Sequence, residues 1–490
     1  MSVLSSYEPK EVLRFFEEIC AIPHGSGNVD RISDYLVSFA KARNLKFRQD
    51  EKKNVIIWAP GSHGYENSAP VIMQGHMDMV AVKEADCQKD METEGLDLEV
   101  TPPADSDEET YITAKGTSLG GDDGIAVAYA LAVMDSQTLA HPPIEAVFTV
   151  DEETGMYGAS FLDTSDLAGR ILLNIDSEDE GILTVSCAGG MRSAISLPIE
   201  REAASDGLLL KLSVEGLKGG HSGVEINQGR LNSNLVLGRL LYAVKNLGIR
   251  LQTISGGEKD NAIASSSCAL ILVPSQYSLE CQKLLNEKYE EIKNEYQKAE
   301  PDFSISLKEV ALEEAALYFT TESTSRVISL LMTLPDGVRR MNPDMTDMVQ
   351  TSLNLGVLST EADRVVLTSS LRSSSESEKF YLYQQLESLA ALAGASITMA
   401  GNYPGWEYAP VSRLRDTIVT VYRDQYGEDP VVMGIHAGLE CGIFASKLPG
   451  LDCVSIGPQM HDIHSPREVL SIESTQRTWL LICSVLAELK

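Results

Sequence analysis

Four short apolar runs constrain this chain most: VIMQG (71–75), IEAVFTV (144–150), RILLNI (170–175) and DCVSIG (452–457). Runs this short and this continuously apolar suit strands covered on both faces of a parallel sheet. Each then breaks off into ionisable groups. VIMQG leads into His76 and Asp78, IEAVFTV into Asp151, Glu152 and Glu153, RILLNI into Asp176, and DCVSIG is followed by His461 and His464. Helix-like segments lie between, among them GIAVAYALAVM, which follows Asp122 and Asp123 in the loop GGDDG. Strands alternating with helices imply a mostly parallel α/β sheet, and ligands of such sheets bind beyond the carboxyl ends of the strands.

The 490 residues exceed what one ordinary core supports, so two or three domains are expected. From about residue 191 the character changes to strands such as LLLKLSVEG and VQTSLNLGVL, with long helices expected over 232–247, 277–297 and 376–393. After the turn-rich NYPGW the α/β pattern returns. The expected organisation is an α/β domain built from both chain ends, 1–190 and 403–490, interrupted by an inserted α+β domain over 191–402.

A net charge of −31 argues against nucleic acid or an anionic membrane surface as a partner. The N-terminal MSVLSSYEPKEVLRFFEEIC has neither a basic n-region nor an apolar h-region, and no apolar run approaches a membrane span. The eight cysteines form no C-x-x-C pair and read as buried free thiols, which together predict a cytoplasmic protein.

Carboxylates crowded at one sheet edge would repel one another unless positive charge sat among them. Imidazole with carboxylate is a donor set for zinc and similar divalent ions. Two divalent ions would be balanced by three ligand carboxylates and one hydroxide with both imidazoles neutral, the arrangement of two-metal hydrolytic sites. Rival patterns are weaker. DSEDEG opens like a calcium loop, but its twelfth position is Cys187 where a glutamate is needed. GTSLG fits the nucleophile elbow of a serine hydrolase with Ser118, yet TYITAK before it is not an apolar strand. Cys20 reads as core, and His24, His63 and His141, beside Pro or Gly, as loop residues.

The motifs GHMDMV, SLGGDDG, DEETGMYGA, NIDSEDEG, GGHSG, RSSS, YPGW, HAGLECG and HSPRE follow one another in this order. With them the chain resembles the M20 family of metallopeptidases nearly end to end, and in particular its aminoacyl-histidine dipeptidase branch. The resemblance implies that His76 and Asp176 hold one metal, that Glu153 and His464 hold the other, and that Asp122 bridges both. The ions would be zinc first, with cobalt or manganese as substitutes. Asp78 would orient His76, Glu152 would serve as general base toward a metal-bridging hydroxide, and the Asp122–Asp123 peptide would be cis.

In the inserted domain, which the resemblance makes a lid for substrate recognition and a candidate dimerisation domain, His221 would polarise the scissile carbonyl. Asn261 and Arg372 would hold the substrate, the arginine by its terminal carboxylate. Members of the family that this chain resembles commonly have Pro-Arg where it has Ala264 and Ser265, so a contact made by that arginine is not expected here. His436 and Glu440 stand four apart at an expected helix start. Glu440 is read either as a contact behind the ligands or as a contact to the substrate amine. The function expected is hydrolysis of dipeptides, Xaa-His among them, with a homodimer among the assemblies allowed. Whether His221 serves its own chain or a partner is open. The alternatives are an amidohydrolase of N-acyl amino acids and a non-catalytic metal-binding relative; the intact Glu152 and full ligand set argue against the latter.

Overall fold

The strand Val71–His76, buried along its whole length, lies within an eight-stranded sheet of the computed structural model, which describes residues 2–102, 109–204, 206–312 and 315–490. It pairs in parallel with Ile144–Thr149 on one side and Ile171–Asn174 on the other, and Asp452–Ser455 runs parallel to the latter. Lys46–Gln49 and Val55–Ala59 extend the sheet antiparallel beyond Ile144–Thr149. The sheet is therefore parallel where the apolar runs are, as expected, and antiparallel on both sides of them, Ser455 pairing antiparallel with Thr184 on the far side.

The helix Gly121–Asp135 is buried on nearly every face, as an all-apolar helix must be. It crosses the sheet so closely that a Cβ on Gly75 would stand 2.4 Å from Ala126 Cβ and 2.5 Å from Asp123 Oδ2. That contact explains the glycine before His76. A smaller sheet joins Met460–His461, Val469–Ser471, Tyr111–Ala114 and Leu98–Thr101. His464 sits in the connection between its first two strands.

Two compact units divide the chain. The first comprises Met1–Ser186, Trp406–Gly434 and Leu439–Lys490, and the second Cys187–Gly405 with Ile435–Gly438. The second has an antiparallel nine-stranded sheet, with Leu237, Leu241, Leu285, Ile328 and Leu386 in its core. The helices expected there occur as Ser233–Val244, Ser278–Tyr296 and Glu376–Ala393. One more, Thr321–Thr333, was not expected. Its signal was the N-cap: the Thr320 side chain accepts from Ser323 N, and Val327, Ile328, Leu330 and Leu331 then form the buried stripe.

Candidate metal centre

Parallel register brings the strand ends together. His76 lies opposite Thr149, and Gln74 opposite Asn174, so the residues just beyond them emerge on one edge. Asp151 and His464 both adopt positive φ (54° and 59°), uncommon for residues with a Cβ, and the chain turns sharply at each. The Asp122–Asp123 peptide is cis, as the resemblance implied.

Asp122 is at the centre of the cluster. Its Oδ1 lies 3.0 Å from His76 Nε2 and its Oδ2 3.0 Å from His464 Nε2. Asp176 Oδ1 stands 3.7 Å from His76 Nε2, and Glu153 Oε1 3.0 Å from His464 Nε2. Donor atoms about 2.0–2.1 Å from a tetrahedral zinc ion stand roughly 3.3 Å apart, so these spacings fit donors sharing small cations. Ligand atoms of His76, Asp122 and Glu153 all lie within 4.8 Å of one another, as do those of His76, Asp123 and Asp176. Asp123, which sequence reading did not single out as a donor, accepts the His76 backbone N–H at 3.1 Å.

Asp78 differs in detail from expectation. The partner of His76 Nδ1 is the backbone carbonyl of Asp78, at 2.9 Å, while the carboxylate Oδ1 is 3.6 Å away. The carboxylate instead accepts from Ser26 Oγ at 2.8 Å and from the backbone N–H of Glu152 at 3.2 Å. Asp78 thus ties the His76 strand to the loop bearing Glu152.

The electrostatics follow from burial and crowding. Burial, reinforced by the charges of Glu440, Glu153 and Asp122 and opposed by His76, pushes the Glu152 carboxyl up to about 8. Burial also raises Asp176, with Asp123 and Asp122 adding to it. Burial would depress His76, but its contacts with Asp122 and Asp78 hold it well above the usual imidazole range. His464 is raised to about 10 by Asp122 and Glu153. Crowding thus makes charge costly in this acidic pocket, a cost that bound cations would offset.

The model of peptidase family M20/M25/M40 matches residues 72–488. The chain belongs to this family. It is therefore a hydrolase of peptide bonds. It is 37% identical over 491 residues to the cytosol non-specific dipeptidase of Escherichia coli (strain K12), spanning 100% of this chain and 99% of that protein. A crystal structure of aminoacylhistidine dipeptidase from Vibrio alginolyticus matches with a TM-score of 0.92 at 37% identity, covering 99% of this chain and 98% of that one. The aminopeptidase PepT of Bacillus cereus ATCC 10987 shares the fold, with a TM-score of 0.55, 14% identity and 99% of each chain covered.

In this M20 chain the remaining expected site residues fall in two groups. Glu440 belongs to the first unit and is fully buried, accepting from Gln74 Nε2 and Thr149 Oγ1, each at 2.6 Å. Of its two readings, this geometry fits a contact behind the ligands. A side chain without accessible surface does not meet a substrate amine. His436 belongs to the second unit, where its Nε2 lies 2.7 Å from Ser352 Oγ. Burial, then the nearby Arg372 charge, lowers its pKa to about 3. The expected helical pairing of His436 with Glu440 does not occur, because the helix begins only at Glu440 after an extended Leu439.

Within the second unit, His221 lies on a two-residue strand opposite Ala262, and Ser222 N donates to Asn261 O at 2.9 Å. His221 Nδ1 accepts from Gly223 N and Val224 N, at 3.2 and 3.3 Å, which leaves Nε2 carrying the proton. Burial and then the charge of Arg372 lower its pKa, so the ring is a neutral donor. Arg372 Nη1 reaches Tyr403 Oη at 3.3 Å, and its Nε has no hydrogen-bond partner among the described residues. At the departure from relatives, Ala264 is buried and its carbonyl accepts from Ser233 N at 2.8 Å.

Two other expectations are corrected. The strand Tyr111–Ala114 does lead toward Gly116, so the elbow pattern does have a strand before it. Ser118 is nonetheless no nucleophile, since it is fully buried and donates to Val80 O at 2.7 Å. His24 is a loop residue, as expected, and is buried, its Nδ1 2.6 Å from Ile22 O. Cys87, Cys268 and Cys483 are half-buried rather than buried.

Proposed function

We propose that this chain is a cytoplasmic dinuclear metallodipeptidase that cleaves the single peptide bond of dipeptides, Xaa-His among them. The observation that carries this reading is the Asp122 carboxylate, whose two oxygens face two different imidazoles, each 3.0 Å away. A carboxylate shared in this way has the geometry of a bridge between two cations. In this reading His76 and Asp176 hold one ion, His464 and Glu153 hold the other, and a donor set of imidazole and carboxylate favours zinc, with cobalt or manganese as substitutes. When bound, the ions would polarise the scissile carbonyl and make water acidic enough to attack near neutral pH. The full-length likeness to the cytosol non-specific dipeptidase and to the aminoacylhistidine dipeptidase supports the substrate class. No helix among the described residues is long and apolar enough to cross a membrane.

The chain's own groups then have distinct tasks. Glu152 takes the proton of the attacking water and passes it to the leaving amine. Asp78 fixes the Glu152 backbone. His221, donating from Nε2, stabilises the oxyanion that develops at the carbonyl. Arg372 takes the substrate's terminal carboxylate through paired hydrogen bonds, and Asn261 assists in holding the substrate.

The test is metal analysis of the purified chain followed by a dipeptide-library assay of the zinc-, cobalt- and manganese-loaded protein. About two ions per chain and turnover of free dipeptides are expected. Activity confined to N-acyl amino acids would replace the dipeptidase reading with an amidohydrolase. Retention of activity after exhaustive chelation would end the metal-dependent reading altogether.

A further inference from the structure

Glu468 has no role in the chemistry above, although it follows His464 by four positions. Its side chain is 3% exposed, and its carboxylate accepts four backbone N–H groups. Oε2 takes those of Leu119 and Gly120 at 2.8 and 3.1 Å, and Oε1 those of Gly121 and Asp122 at 2.8 and 3.4 Å. These are the residues of the SLGGDD loop that carries Asp122 into the site. At the other end, Glu468 N donates to Ser465 O at 3.1 Å and closes the turn that begins at Ser465, the residue after His464. One side chain therefore ties the loop bearing Asp122 to the loop bearing His464.

The two glycines answer to different neighbours, and Gly121 to Glu468 itself. Gly120 has φ +68°, and a Cβ there would stand 2.8 Å from Met79 Sδ. A Cβ on Gly121 would stand 3.0 Å from Met460 Sδ and 3.3 Å from Glu468 Oε1. The loop is built of glycine so that its N–H groups can close on a buried carboxylate.

We propose that Glu468 is a positioning residue of the dinuclear centre, setting where the Asp122 carboxylate stands between His76 and His464 and hence how tightly both cations are held. This rests on the reading of the cluster as a two-metal site. Asp122 has a short side chain that must satisfy contacts of 3.0 Å on both sides at once, so a shift of its backbone cannot improve one without loosening the other. A glutamine at 468 would keep one acceptor oxygen but turn an NH2 toward N–H donors, leaving at least one face of the tie without an acceptor.

The experiment titrates metal-free protein with zinc alone, and with cobalt alone, against a competing chromogenic chelator, for the unaltered chain and Glu468→Gln. Loss of a group that orients ligands typically weakens metal affinity about 10–100-fold. The variant should show that loss at both sites together, with an altered cobalt visible spectrum, at temperatures where it remains fully folded. A merely structural role would lower its unfolding temperature and leave both affinities and the spectrum unchanged; that outcome overturns the proposal. Gly121→Ala presses on the same contact from the loop side and should weaken both sites in the same direction, so it decides the question if Glu468→Gln does not fold. If the unaltered chain itself fails to bind two ions, the two-metal reading falls first and this proposal with it.

Discussion

Asp122 Oδ2 lies 3.0 Å from His464 Nε2, although 342 residues separate the two in sequence. The same carboxylate meets His76 with its other oxygen, so residues from three distant parts of the chain share one small volume. Three connections bring them there: a parallel strand end, a glycine loop opening a buried helix, and a turn between two short strands. The consequences of that convergence can be measured.

The metal-free protein should lose stability as pH rises from about 5 to 8. Burial raises Glu152 to about 8 and Glu440 to about 7, and Asp122 with Glu153 raises His464 to about 10. Groups with raised values bind more protons in the folded chain than in the unfolded one. Their contribution is therefore complete below the unfolded values and lost as pH rises through the folded ones. Asp122 and Asp78 are shifted downward, and their contributions change only in more acidic solution, whereas the lowered His436 opposes the trend below about 6.5 and leaves the fall steepest above it. Bound cations displace these protons, so the stabilisation by zinc should grow over the same interval. Thermal unfolding with and without chelator at several pH values checks this. A chelated protein whose unfolding temperature climbs steadily from pH 5 to 8 contradicts it.

Glu152→Gln should lower kcat by about 10²–10⁴-fold, the usual worth of a general base. Metal content should stay the same, because Glu152 contributes no ligand in the proposed set. The measurement pairs kcat with metal analysis on the same preparation. A fall smaller than about tenfold removes Glu152 from the proton transfers.

Asp78→Asn should spare metal binding more than turnover. His76 Nδ1 is held by the backbone carbonyl of residue 78, which the substitution keeps. The carboxylate that receives Ser26 Oγ and Glu152 N is lost, so kcat should fall by about 10–100-fold with two ions still bound. The reverse pattern, one ion lost and normal kcat in reloaded enzyme, would mean that the carboxylate serves His76 alone.

Arg372 should make the enzyme measure the substrate's carboxyl end. A charge-assisted hydrogen bond is worth about 1.5–3 kcal/mol, which is roughly ten- to hundredfold in kcat/KM. A free dipeptide should exceed its C-terminal amide and the matching tripeptide by that factor, and Arg372→Ala should flatten the preference. Equal kcat/KM on all three substrates with the unaltered enzyme would rule out the carboxylate grip.

The sequence alone determined the apolar strands, the ionisable residues at their carboxyl ends, and the helices of the second unit. These features are written in neighbouring residues, through apolar periodicity and the abrupt appearance of charge in a buried run. Where the local signal was weak, as in TTESTS, which holds the cap and first turn of the Thr321–Thr333 helix, the element was not expected. Tertiary structure decided what depends on distant segments. It began the helix only at Glu440, so that His436, four positions earlier, lies outside it and shares no helical face with Glu440. It gave His76 the main chain of Asp78 as its partner and sent the Asp78 carboxylate to Glu152. It also brought Glu468 onto the backbone of the Asp122 loop, 346 to 349 positions away. No local pattern records such contacts, because a hydrogen bond between remote loops is fixed by how the elements between them pack.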